Sequence, residues 1–205
     1  MSPAPLPGPS WVLPVGRSLG PRGAGYDVLA GRQVHELDPM SWVLWSLCHG
    51  LPGHRAPWTL ADVELQATAS GLADAVPLLD GLLERGLVTL AAPDDDAVLT
   101  RVRAVVQLPA LGNTADDPDT FSLGTPEVPL VGLDRVTYDV VTSAHRFPDL
   151  AAAVASAAGL WFRAGAPALA GGDAAALGAR VREALPLLLA VGAVHLELAP
   201  AGTPS

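Results

Sequence analysis

The chain has 205 residues, enough for one large domain or two small ones with buried cores. Half of them are apolar and 16% are charged, which excludes disorder as the starting assumption; lysine and isoleucine are absent and all twelve basic residues are arginine, the composition of a GC-rich genome. The net charge of −9 falls on both halves, seven arginines against eleven acids in residues 1–104 and five against ten in residues 105–205, a surface that repels phosphate backbones.

Met1 to Ser10 is rich in proline and lacks a basic stretch followed by an apolar core, so it reads as a flexible N-terminus and not as a secretory signal. Trp11–Val15 reads as a short strand, and Gly16–Gly25, with four glycines, as a loop. Tyr26–Leu29 and Gln33–Leu37 form a hairpin around Ala30-Gly31-Arg32. Asp38-Pro39 is a helix start, because the carboxylate accepts from free backbone N–H groups and proline at the first helical position gives up an N–H that has no partner there. The helix from Met40 to Cys48 places Met40, Val43, Leu44 and Leu47 on one face. Gly50 to Trp58, with two prolines and two glycines, is a loop. Thr59 with Asp62 has the spacing of a capping box and opens a second helix to about Thr68, broken by Ser70-Gly71. A third helix, Leu72–Arg85, carries Leu72, Val76, Leu79, Leu82 and Leu83 on its apolar face and ends at Gly86. Leu87–Ala91 and Ala97–Ala104 then read as strands joined by a turn over Ala92–Asp96. Three helices followed by a hairpin is the winged-helix order.

The second half repeats the first. Leu13-Pro14 matches Leu108-Pro109, and Leu37-Asp38 matches Leu133-Asp134. Trp42 matches Tyr138, His49 matches His145, and Leu60-Ala61 matches Leu150-Ala151. Gly86, Val88 and Leu90 match Gly192, Val194 and Leu196. The strand near Ala104–Leu108 is expected to pass directly from the first wing into the second sheet.

Val34-His35-Glu36-Leu37-Asp38, the helix to His49-Gly50, the stretches Trp58–Gln66 and Asp74–Val88, and the ending Leu82-Leu83-Glu84-Arg85-Gly86-Leu87 together resemble the PqqD-like fold. That family comprises the leader-peptide recognition domains of ribosomally made peptide pathways. The resemblance covers residues 11–91 and, more faintly, 106–198. It implies a peptide that adds as a strand beside the third strand and packs against the third helix. The groove it implies lies along Arg32–Glu36 and the helix from Leu72 to Glu84, with Arg32, Val34, His35, Glu36, Asp74, Leu79 and Asp80 as contact residues. In the second copy it lies along Val128–Gly132 and Ala174–Leu188.

DNA reading through a third helix meets the wrong charge in the first copy, where Asp74, Asp80 and Glu84 stand against Arg85 alone. In the second copy Arg180 and Arg182 stand against Asp173 and Glu183, and Arg101 and Arg103 in the wing make a thin basic footprint. A single cysteine excludes an intrachain disulfide and a multi-cysteine zinc site. Cys48-His49 with His54 reads as a buried thiol and two surface histidines, with His49 and His145 as cations favoured at helix ends. Asp94–Asp96 and Asp116, Asp117 and Asp119 lack calcium-loop spacing and read as solvated turns. No catalytic motif is present, the absence of lysine excludes Schiff-base chemistry, and Gly20–Gly25 has the wrong spacing for a dinucleotide turn. Trp42, Trp45, Trp58 and Trp161-Phe162 are either core or an exposed aromatic patch.

The expectation is therefore an α+β chain of tandem winged-helix-like units, each a small antiparallel sheet with three helices. The units are residues 11–104 and 105–198, with a flexible tail over 199–205. Its apolar runs, Leu150–Phe162 and Ala184–Val194, are too short to span a bilayer, so a cytoplasmic protein with no membrane partner follows by elimination. The function expected is a non-catalytic protein- or peptide-binding adaptor without cofactor or metal. A tandem winged-helix DNA-binding regulator is the alternative, and homo-oligomerisation through apolar helices or sheet edges the third reading.

Overall fold

In the computed structural model, which describes residues 10–51, 58–72, 74–166 and 173–200, the chain is α+β and divides into two units, Met1–Asp95 and Asp96–Ser205. Unit 1 runs β1 (Trp11–Pro14), β2 (Arg17–Arg22), β3 (Gly25–Ala30), β4 (Gln33–Leu37), α1 (Pro39–Leu47), α2 (Leu60–Ala69), α3 (Ala75–Glu84) and β5 (Val88–Ala91). The strands form two small antiparallel sheets, a β2-β3-β4 meander and a β1-β5 pair. Unit 2 opens with a one-turn helix, α4 (Val98–Arg101), and then repeats the plan. It continues through β6 (Val102–Val106), β7 (Ala110–Gly112), β8 (Thr120–Gly124), β9 (Pro129–Asp134), α5 (Arg135–Ser143), α6 (Leu150–Arg163), α7 (Ala174–Ala190) and β10 (Val194–Leu198). Its sheets are the β7-β8-β9 meander and the β6-β10 pair.

The repeat is written in the helix ends. Asp38 Oδ1 accepts from the Met40 and Ser41 amides at 2.9 and 3.0 Å, and its Oδ2 from the Ser41 hydroxyl at 2.6 Å. Asp134 does the same with Val136, Thr137 and the Thr137 hydroxyl at 3.0, 3.1 and 2.6 Å. Each carboxylate fills donors that the first helical turn leaves unpaired. At the second helix, Thr59 forms the full capping box with Asp62, and Asp149 accepts from the Ala152 amide at 2.7 Å. At the end of the third helix, Gly86 and Gly192 both adopt φ 67°, a left-handed stop that glycine takes without a Cβ clash. The following amides, Leu87 and Ala193, donate back to Leu82 and Leu188 at 2.9 and 2.8 Å.

Three sequence expectations change. Ala97–Ala104 is not the second strand of a wing: Val98–Arg101 is helical, β5 returns to pair with β1, and β6 pairs with β10. A short apolar strand can satisfy its ladder with any antiparallel neighbour, and here the distant strand wins over the adjacent one. Gly16–Gly25 is mostly strand, since Arg17–Arg22 pairs with β3 across a bulge between Ser18 and Gly20. Finally, Val15 and Gln107 are the equivalent residues, because their amides donate to Leu87 and Ala193 at 2.8 Å. Leu13-Pro14 therefore corresponds to Val105-Val106, not to Leu108-Pro109. The N-terminal residues before Ser10, most of the Gly50–Trp58 loop and the tail beyond Pro200 lie outside the described residues.

The unit 1 core is built from the inward faces of these elements, among them Val28, Leu37, Leu44, Val63, Leu82 and Leu87, all at most 1% exposed. Trp45 locks it: its indole N–H is shared between the carbonyls of Val15 at 3.2 Å and Leu87 at 3.1 Å, tying α1 to the β1-β5 pair. Trp58 is also buried, and Trp42 is half-buried and stacks on Tyr26 with ring centroids 4.1 Å apart. In unit 1 the tryptophans are core.

Candidate functional site

β4 is the outer strand of its meander, so among the described residues no strand lies on one side of its backbone. The chain enters it through a two-residue turn, Gly31-Arg32, with Gly31 at φ 60°, the glycine-first hairpin turn. Such a turn closes on a hydrogen-bonded Ala30–Gln33 pair, and hydrogen-bonded pairs alternate along the ladder. Gln33, His35 and Leu37 therefore bond back to β3, while the N–H and C=O of Val34 and Glu36 face away. The Glu36 carbonyl shows this directly, since the Arg85 guanidinium donates to it at 2.8 Å.

That contact brings Arg85, the residue that follows α3, to the end of β4. On a helix with 3.6 residues per turn, Leu78 and Gly81 share the stripe of Arg85. Leu78 is half-buried against the core, and Arg85 is exposed. A Cβ placed on Gly81 would have no atom within 4 Å. That stripe of the helix thus carries no side chain between an apolar residue and a guanidinium.

The residues expected from the sequence divide over these surfaces. Arg32 is exposed at the turn, Val34 is 52% exposed, and Glu36 is exposed with its side chain lying over Gly25, whose Cβ would meet Glu36 Cγ at 3.4 Å. His35 is half-buried, and burial, followed by the nearby Arg85 charge, holds its pKa below the usual histidine value. Asp74 is exposed at the start of α3 and makes no side-chain cap bond. Leu79 is 5% exposed and belongs to the core. Asp80 shares the solvent face with Glu84 and Val76, and Val76, expected on the apolar face, is 54% exposed. Sequence reasoning missed Gly81 and Arg85; the signal was a mid-helix glycine four residues before an arginine on the same stripe.

In unit 2 the corresponding edge is β9, where Val128 just before the strand and Leu130 within it are 52% and 45% exposed. There Arg180, from the first half of α7, reaches Asp134 at 3.5 Å. A cleft of about 470 Å³ beside this pair is lined by Phe121, Asp134, Arg135 and Arg180. A second, of about 490 Å³, is lined by Asp139, Arg146, Phe147, Leu160 and Trp161. Burial raises the Asp139 pKa, opposed by Arg135. Arg135 lies over the rings of both Phe121 and Trp161, at 5.8 and 5.1 Å. Phe162 is 69% exposed, unlike the aromatic residues of unit 1.

The other chemical candidates are accounted for locally. Cys48 is buried and burial pushes its thiol up to about 12, far from a reactive thiolate. His49 is not a surface cation: it is half-buried, its Nδ1 lies 3.1 Å from the Trp45 carbonyl, and burial holds its pKa low. Its counterpart His145 is exposed. His54 lies outside the described residues. Asp96 pairs with Arg182, and Asp117 Oδ1 accepts from the Thr120 amide at 3.2 Å, so both acidic turns have structural uses. Among the described residues no three His, Cys, Asp or Glu side chains are grouped to hold a metal ion, and no helix is long and apolar enough to cross a membrane. No family model, no curated protein and no solved structure matches the chain.

Proposed function

We propose that this chain is a non-catalytic adaptor that binds an extended peptide or protein segment as an added strand on β4. The observation that carries the reading is the outward-facing N–H and C=O of Val34 on an outer strand whose other outward-facing carbonyl, at Glu36, is reached by Arg85. Main-chain bonds of this kind supply affinity, and the side chains along the groove supply selectivity. The PqqD-like resemblance points to the same edge and to work within a peptide-modifying or other multiprotein assembly.

Charge supports a peptide over DNA. The solvent face of α3 carries Asp80 and Glu84, and in α7 Arg180 and Arg182 already serve Asp134 and Asp96. Little positive charge remains on either third helix for a phosphate backbone.

Val34→Pro tests the reading. Proline removes an N–H that faces away from β3, and edge strands tolerate it, so the fold is retained. Peptides selected from a random displayed library on the wild-type chain should lose binding to this variant. Equal binding to both chains overturns strand addition at β4. Duplex DNA binding with a steep salt dependence would favour the tandem winged-helix regulator instead. Concentration-dependent mass in light scattering, abolished by Val34→Pro, would identify a second copy as the occupant.

A further inference from the structure

The β4 edge is latched by Arg85. Its guanidinium occupies the Glu36 carbonyl at 2.8 Å, one of two outward-facing acceptors that the middle of the strand offers. An incoming strand brings its own N–H to that acceptor, so the guanidinium must give way or the strand must stop at Val34. Water can take up the displaced guanidinium, but displacement is most favourable where the newcomer supplies a stronger acceptor. A carboxylate is the best match to its paired donors.

The surrounding charges agree. Arg32 is exposed at the far end of the same strand, so an arginine stands at each end of the edge. Of the nearby acids, Glu36 lies over Gly25, Asp38 accepts from the Met40 and Ser41 amides, and Asp80 shares the solvent face of α3 with Val76. Between Leu78 and Arg85 their shared stripe of α3 carries no side chain, because Gly81 has none and its Cβ position is empty.

We propose that Arg85 reads an acidic side chain of an extended peptide docked on β4, releasing the Glu36 carbonyl to that peptide as it does so; this rests on the strand-addition reading above. Arg85 is exposed and follows the last residue of α3, so its replacement leaves the core untouched.

The test is selection of a random displayed peptide library, carried out separately on full-length wild-type, Arg85→Ala and Arg85→Glu chains, each checked for fold by circular dichroism. Peptides selected on the wild type should carry Asp or Glu at one fixed position and bind Arg85→Ala about tenfold more weakly. On Arg85→Glu that position should turn to Lys or Arg. The same residue preference on all three chains overturns the role of Arg85, as does a wild-type-selected peptide whose acid is replaced by its amide without loss. Dependence on Val34 but not on Arg85 removes this inference alone. Binding that ignores both residues, or no enrichment on any chain, removes strand addition as well.

Discussion

Units 1 and 2 share caps, helix stops and sheet order, yet equivalent positions carry opposite chemistry. In the paired ladder of unit 1, Trp11 stands opposite Ala91 and both are buried. In unit 2 the corresponding pair is Arg103 opposite Glu197, joined by a salt bridge. Burial pushes the Glu197 carboxyl up, but Arg103 and then His195 outweigh it and hold its pKa below the ordinary value. Third-helix arginines approach the last meander strand in both units, Arg85 from the end of α3 and Arg180 from within α7. What is common to the two units is what the backbone needs, and what differs is what a surface can vary. The fold can therefore be argued from the repeat, but a binding site has to be argued one unit at a time.

The comparison can be broken most easily at that ladder. Trp11→Ala should cost about 3–5 kcal/mol by chemical denaturation, as expected for a buried aromatic reduced to alanine. Arg103→Ala should cost less, about 1.5–3 kcal/mol, by leaving a partly buried carboxylate with His195 as its side-chain partner. Reversal of that order would mean that the ion pair and not packing holds the ladder. Next come the caps: Asp38→Ala should cost about 1 kcal/mol, and Asp134→Ala at least as much, because the cap bonds match and Asp134 also pairs with Arg180. A smaller loss at Asp134 would show that the second cap only imitates the first.

Acid should separate the units further. The pKa of His49 in the folded chain lies below its ordinary 6.5, so the unfolded chain takes up the proton first. The stability His49 contributes is complete above about 6.5 and is lost as pH falls through the folded value. His35 acts with the same sign. Thermal melts from pH 7 downwards should show falling stability, and His49→Gln should flatten that slope. The smallest effect concerns helix glycines. Gly81→Ala should stabilise unit 1 by about 0.5–1 kcal/mol, since its Cβ meets open space. Gly178→Ala in α7 should gain less or nothing, because its Cβ meets Leu99 Cδ1 at 3.3 Å.

Features governed by a few neighbouring residues were legible in the sequence. Asp38-Pro39, the Thr59/Asp62 box and Gly86 act within a turn of themselves, and the repeat followed from matching them. Strand pairing was not legible, because Leu87–Ala91 reads the same whether its partner lies ten residues on or at Trp11. The β4 edge was visible as a hairpin strand, but the residues of its helical partner came from the family resemblance, which pointed to Asp74, Leu79 and Asp80. Leu79 serves the core, and Arg85, which reaches the Glu36 carbonyl, was not among them. An apolar pattern marks what a helix buries and says little of what it leaves open.

The central claim is that β4 is an open edge waiting for a strand, and amide hydrogen exchange at its residues tests it most directly. In the free protein His35 and Leu37 should be protected while Val34 exchanges rapidly; on saturation with a peptide selected on the wild-type chain, Val34 should become protected. A Val34 amide already slow in the free protein, or one that stays fast when the peptide is bound, would contradict the account.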